Sequence, residues 1–146
     1  MVLFSVALYI GLGILMSLLH ETGHVFVCAS SGHDYRVWVD FTGGHMLCFG
    51  QLEDSFVYHA MGGLFGLAGS AALVITYFAT GRYAFLAVGL AYAIDQGAKI
   101  FLEGIYTRAY ISGALDLPIT VLQVAAWLGF MLYFAKKSHI EKQVGA

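Results

Sequence analysis

Four long apolar segments constrain the fold of this chain more than any other feature. They run about Val2–Cys28, Phe56–Ala79, Tyr83–Tyr106 and Leu117–Ala135. Each approaches or exceeds the roughly 20 residues with which a helix crosses the hydrocarbon core of a bilayer. Charged residues make up only 11% of the 146 residues, against about 25% in soluble domains. We therefore expect one integral membrane domain, residues 1–146, with about four transmembrane helices in contact with the lipid bilayer.

The composition also excludes other classes of protein. The formal net charge is −2, and the chain has no basic stripe that could bind nucleic acid. Its two cysteines, Cys28 and Cys48, are too few for a disulfide scaffold. They could lie close together if the segment between them folds back, but the sequence does not establish a bond.

A short β-hairpin is expected between the first and second helices. Residues Tyr35–Phe41 are β-branched and aromatic in rough alternation, Gly43 and Gly44 favour a turn, and His45–Phe49 resemble a returning strand. A two-stranded ribbon is marginally stable alone, so the hairpin, about Tyr35–Phe49, should lie against the helices or the membrane surface. The fold class is therefore an all-α membrane protein with one small hairpin.

The basic residues indicate an orientation. Arg82 and the three lysines after the fourth span lie on one side of the membrane, and Arg36 and Arg108 lie on the other. Because cytoplasmic loops carry the excess of Lys and Arg, a count of 4 against 2 predicts that both termini are cytoplasmic.

The motif His20-Glu21-Thr22-Gly23-His24 carries the clearest chemical signal. Residues four apart lie on the same face of a helix, so both imidazoles can reach one metal ion. Glu21 lies beside them, where it can act as a general base toward a metal-activated water. Ionisable side chains within a membrane helix are energetically expensive and usually functional. A structural reading, in which a histidine simply bonds a neighbouring carbonyl, is the weaker alternative.

Zinc held by two histidines needs a third protein ligand and leaves a position for water. Asp95 is the preferred candidate, because an unpaired carboxylate in mid-span would be costly. Lys99, four residues later, offers an ion pair as the alternative explanation for Asp95. Glu103 is the fallback ligand, followed by Asp116, which more simply caps the fourth helix, and by a histidine from the hairpin or second span.

Three further histidines lie near the expected site in sequence. His33 and His45 belong to the polar connector, and His59 opens the second helix. We expect surface or interfacial positions for all three. His59 and the hairpin Tyr35–Phe49 are nevertheless candidates for substrate binding.

These motifs together resemble the site-2 protease family of intramembrane zinc metalloproteases. The shared features are the His-Glu-x-Gly-His form of the metal motif, a hairpin containing Gly-Gly, the small segment Ala60–Gly63, and Ile94–Gly97, which is similar to the family's Leu-Asp-Gly motif. In the last segment Gln96 is inserted between Asp95 and the glycine. The resemblance implies that Asp95 is the third zinc ligand and that the substrate is a transmembrane or membrane-associated protein.

Two functions follow from these expectations. The first is a zinc metalloendopeptidase in which His20, His24 and Asp95 hold the metal and Glu21 is catalytic. The second is a non-proteolytic subunit of a larger membrane complex that has kept the protease fold. An iron site built from two histidines and one carboxylate is a weaker third possibility, because it gives Glu21 no task.

Overall fold

The fold is four long helices with one hairpin, seen in a computed structural model that describes residues 1–41, 43–52, 55–107, 109 and 112–144. Helix α1 is Val2–Ser30, followed by strands β1 (Tyr35–Asp40) and β2 (Gly43–Cys48). Helices α2 (Phe56–Thr80), α3 (Tyr83–Ile105) and α4 (Asp116–Val144) complete the described chain. The predicted fold class, four helices with a hairpin between the first two, is confirmed.

All four helices have the length and composition of membrane spans. Within the described residues, the apolar spans are Val2–Ser30, Phe56–Thr80, Tyr83–Ile105 and Leu117–Ile140. Side chains such as Leu3, Ile10, Ile75, Phe78 and Leu132 are more than 60% exposed on the outside of the bundle, where lipid can cover them. The chain is therefore a multi-pass membrane protein.

Successive helices run in opposite directions. One end of the bundle carries the N-terminus, the turn at Gly81 and the end of α4. The other end carries the hairpin, the start of α2 and the end of α3. Gly81 has a φ of 67° at the end of α2, a left-handed conformation that glycine adopts without strain.

The centre of the bundle away from the hairpin is aromatic. Tyr9 of α1 stacks on Trp127 of α4 with 4.5 Å between ring centroids, and on Tyr92 of α3 at 5.5 Å. The Trp127 indole donates a hydrogen bond to Ser5 Oγ, and the Tyr92 hydroxyl donates to the Tyr9 carbonyl. These contacts pack α1, α3 and α4 against one another.

Glycines let α1 and α2 approach closely beside the metal motif. A Cβ on Gly23 of α1 would overlap the Met61 carbonyl of α2, and a Cβ on Gly63 would meet Ile100 and the Gln96 carbonyl of α3. Small residues permit this kind of backbone contact between membrane helices. Helix α2 therefore lies directly against the helices that bear the candidate site.

The hairpin lies against α1. Its two strands are antiparallel, with Tyr35 opposite Cys48 and Asp40 opposite Gly43. At its tip the Gly44 amide donates to Ser17 Oγ at 2.9 Å, and the Ser17 hydroxyl contacts the Gly44 carbonyl. Ser17 lies 13 residues before the end of α1, which is about 20 Å along the helix axis. The hairpin thus extends alongside the part of α1 that contains the metal motif.

A disulfide fixes the other end of the hairpin. Cys28 of α1 and Cys48 of β2 are bonded to each other. With the contact at Ser17, β2 is therefore held to α1 at both of its ends. Strand β2 is partly buried against the helix, whereas every residue of β1 is exposed.

Candidate metal centre

The two histidines of the motif point their Nε2 atoms at each other. His20 and His24 are both buried in α1, and their Nε2 atoms lie 3.2 Å apart. His24 Nδ1 lies 2.8 Å from the Tyr58 carbonyl, and His20 Nδ1 lies 2.8 Å from Gln96 Oε1. A carbonyl oxygen can only accept, so each Nδ1 carries the hydrogen. In the neutral ring this leaves Nε2 with a free lone pair.

Glu103 of α3 completes the group. Its Oε1 lies 3.1 Å from His20 Nε2, and its Oε2 lies 3.3 Å from His24 Nε2. The Glu103 side chain is almost fully buried, and Oε1 receives no hydrogen bond from the part of the chain that the structure describes. Two ring nitrogens and two carboxylate oxygens therefore converge as electron-pair donors.

This donor set can bind a metal ion. The ligand atoms of His20, His24 and Glu103 lie within 4.8 Å of one another, and all three residues are buried. An anionic carboxylate beside two neutral imidazoles in an apolar surrounding is costly unless a positive charge is present. A divalent cation bound between them supplies that charge, so the three residues form a possible metal site.

Asp95, the preferred third ligand from sequence, lies elsewhere. Its Oδ2 lies 3.4 Å from Lys99 Nζ, one turn along the same helix, and accepts a hydrogen bond from Gln96 Nε2. Asp95 is not a member of the group formed by the two histidines. The geometry therefore favours Glu103, the fallback, as the third ligand. The ion pair with Lys99 accounts for the burial of Asp95.

The hairpin histidines, which were lower-ranked ligand candidates, do not enter this group. Asp116, another candidate, has a side chain that lies outside the described residues. His45 of the hairpin contacts Asp40 Oδ1 at 3.1 Å and stacks on Trp38. His33 packs against Gly50 at the base of the hairpin.

Gly62 of α2 forms one wall of the candidate metal site. A Cβ at this position would overlap the Nε2 atoms of both His20 and His24. The glycine-rich start of α2 therefore does more than allow close helix packing, because Gly62 leaves the space in which the two nitrogens meet.

Glu21 lies beside the candidate metal site and lines two cavities. It is half-buried, and the two cavities have volumes of about 680 and 380 Å³. The larger contains Asp95, Lys99 and Gln123, and the smaller contains Leu52, Tyr58 and Glu103. Water or a peptide in either cavity can thus meet both Glu21 and the donor group.

The candidate substrate-binding residues lie on the walls of these cavities. His59 is buried, contrary to the expected surface position, and lines the smaller cavity. His45 and Trp38 line the larger cavity, Leu47 and Cys48 line the smaller, and Met46 lines both. Strand β2 therefore runs past the donor group.

The sequence held a signal for Glu103. In Leu102-Glu103-Gly104 a leucine, a carboxylate and a glycine follow one another directly, as in the Leu-Asp-Gly motif discussed above. Asp95, in contrast, is separated from Gly97 by Gln96. Glu103 also lies eight residues after Asp95, on the same face of α3. Of the two carboxylates, Glu103 is thus the one that stands between a leucine and a glycine with no inserted residue.

Comparison of the chain with protein-family models, with curated proteins and with solved structures finds no match. The functional argument therefore depends on the geometry of the site.

Proposed function

We propose that this protein is an intramembrane zinc metalloprotease that cleaves membrane-associated protein substrates. The observation that carries the proposal is the convergence of His20 Nε2, His24 Nε2 and the Glu103 carboxylate next to Glu21. Two histidines at helical spacing, one distant carboxylate and a glutamate following the first histidine form a common arrangement in zinc peptidases. The resemblance to the site-2 protease family supports the same proposal.

The dimensions of the donor group suit zinc. With bonds of about 2.0–2.1 Å, two ligands at a tetrahedral angle lie about 3.3 Å apart. His20 Nε2 lies 3.1 Å from Glu103 Oε1 and 3.2 Å from His24 Nε2, close to that spacing, and the second carboxylate oxygen, Oε2, lies 3.3 Å from His24 Nε2. Imidazole nitrogens and one carboxylate are also a ligand set that zinc favours in catalytic sites, with a fourth position open to solvent.

Zinc bound here would supply Lewis acidity, lowering the pKa of a water molecule to about 7 and polarising a carbonyl group. Glu21 would take the proton from that water and deliver it to the leaving amine. His20, His24 and Glu103 would hold the metal, while the carbonyl groups that accept from each Nδ1 would keep both rings in position.

The substrate would bind in extended form beside β2. Because a helical segment has its backbone groups paired internally, it must unwind before its peptide bonds can be attacked. Strand β2 borders both cavities, and its backbone can pair with an added strand by β-augmentation. The hairpin is fastened to α1 at Ser17 and Cys28, so an added strand would be held close to Glu21.

We further propose that the termini face the cytoplasm and that the metal site lies toward the opposite side. Arg82 and the C-terminal lysines lie at the end of the bundle away from the hairpin. The Cys28–Cys48 disulfide supports the same orientation independently, because disulfides persist mainly in oxidising compartments.

Labelling in intact cells tests this orientation. A membrane-impermeant maleimide should label Ser112→Cys, which lies at the hairpin end, without permeabilisation. Thr80→Cys, at the opposite end, should be labelled only after permeabilisation. The reverse pattern would overturn the orientation and leave the metal site unaffected.

Substitution of Glu21 tests the proposed activity. In detergent-purified protein supplied with a transmembrane peptide, Glu21→Gln should retain zinc and lose cleavage by about 10²–10⁴-fold, the usual contribution of a general base. Thr22→Ala is the matched control, since the Thr22 hydroxyl is exposed and bonds the Leu18 carbonyl in its own helix. Full activity of Glu21→Gln would refute the mechanism. Wild-type protein that holds zinc, cleaves no peptide and purifies with fixed partners would instead favour the non-proteolytic subunit.

A further inference from the structure

We propose that Gln96 is a positioning residue for the metal site, held in place by Asp95 and Lys99. The inference rests on the proposed function for its metal, but the placement of His20 that it describes does not require the metal. Gln96 is 1% exposed, and its side-chain amide lies between His20 and Asp95.

The three residues of α3 determine which way the amide faces. The Lys99 ammonium lies 3.4 Å from Asp95 Oδ2, which favours an ionised carboxylate there. An ionised carboxylate only accepts hydrogen bonds, so the Gln96 nitrogen, 2.7 Å from Oδ2, must face Asp95. The amide oxygen is then left to face His20.

This orientation decides which ring nitrogen of His20 is available to a metal. Gln96 Oε1, at 2.8 Å, accepts the hydrogen of His20 Nδ1. Had the amide been reversed, its NH₂ group would face Nδ1 and place the ring hydrogen on Nε2, where a metal could not bind. The Asp95–Lys99 ion pair thus acts on the metal site through Gln96, although neither residue belongs to it.

Glycines of helix α2 provide the space for the Gln96 amide and the histidine nitrogens. A Cβ on Gly66 would overlap the Gln96 side-chain amide, so the amide packs directly on the α2 backbone. Gly62, one turn earlier on α2, opens the space for the histidine nitrogens. Consecutive turns of one helix therefore accommodate the metal ligands and the residue that positions one of them.

His24 provides an internal reference. Its Nδ1 hydrogen is accepted by the Tyr58 backbone carbonyl and does not involve Gln96. A substitution at Gln96 should therefore change His20 and spare His24, whereas a general loosening of the fold should change both.

The experiment compares Gln96→Leu with Gln123→Leu in micelles. Gln123→Leu makes the same change at a glutamine of α4 that lines the same cavities as Lys99. Zinc affinity is measured by competition with a chelator. Histidine-labelled nitrogen-15 spectra, recorded with and without zinc, report whether each Nδ1 hydrogen is protected from exchange with water.

Gln96→Leu should weaken zinc binding by about 10- to 100-fold, the usual effect of losing a partner of a metal-bound histidine. It should also remove the protection at His20 Nδ1 alone, while Gln123→Leu retains both the zinc affinity and the protection. Unchanged protection at His20 in Gln96→Leu, or equal loss at His20 and His24, would overturn the inference. If the wild type bound no zinc, the proposed function would fail, and the exchange data would still decide the role of Gln96.

Discussion

The Nε2 atoms of His20 and His24 lie 3.2 Å apart and carry no hydrogen when the rings are neutral. Each ring commits its Nδ1 hydrogen to an oxygen of another helix, Gln96 Oε1 for His20 and the Tyr58 carbonyl for His24. The two nitrogen lone pairs are directed at one point, and the Glu103 carboxylate lies opposite them. A positive charge bound at that point would stabilise all three groups.

Gly62→Ala should abolish metal binding, because the added methyl group would occupy the space of both Nε2 atoms. Gly97→Ala is the matched control: among the described residues nothing lies within 4 Å of its would-be Cβ. That control should bind metal normally and gain up to about 1 kcal/mol of helix stability. Elemental analysis and thermal unfolding of both variants check the prediction. Stoichiometric metal in Gly62→Ala would show that the site lies elsewhere.

Removing the disulfide should destabilise the protein by about 3 kcal/mol, the value expected when a bond closing a loop of about 20 residues is lost. The measurement compares thermal unfolding of the wild type, with and without reductant, against the double variant Cys28→Ser/Cys48→Ser. Reductant should lower the unfolding temperature of the wild type and leave that of the double variant unchanged. Identical unfolding of all samples would mean that the hairpin is held without the bond.

The effects of substituting Asp95 and Lys99 on the free energy of unfolding should be coupled. Asp95→Asn and Lys99→Met each leave a partner without its counter-charge, so the double variant should be less destabilised than the sum of the two. A coupling free energy of about 0.5–3 kcal/mol is expected for residues in contact. Denaturant unfolding of the four proteins measures it. Strict additivity would argue against the ion pair as the reason for the burial of Asp95.

The fold could be predicted from the sequence because each membrane span can be recognised from its own run of apolar residues. Four apolar stretches and one alternating segment around Gly43 and Gly44 were sufficient for the helix count and the hairpin. The sequence did not show how far along α1 the hairpin extends. That position depends on the contact between Ser17 and Gly44, which are 27 residues apart. The Cys28–Cys48 bond was open for the same reason.

The metal site was only partly predictable. The pair His20 and His24 follows from helical spacing alone, whereas the third ligand depends on which turn of α3 lies beside the two histidines. Asp95 and Glu103 lie on the same face of α3, and the sequence could not decide which of them meets the histidines. Lys99 was the alternative partner for Asp95, and the structure shows that it lies beside that carboxylate.

Metal content tests directly whether His20, His24 and Glu103 form one metal site. Detergent-purified wild type, His24→Ala, Glu103→Ala and Asp95→Asn would be analysed for zinc by elemental mass spectrometry. We expect about one zinc per chain in the wild type and Asp95→Asn, and none in His24→Ala or Glu103→Ala. Zinc that persists in Glu103→Ala and is lost in Asp95→Asn would contradict this expectation.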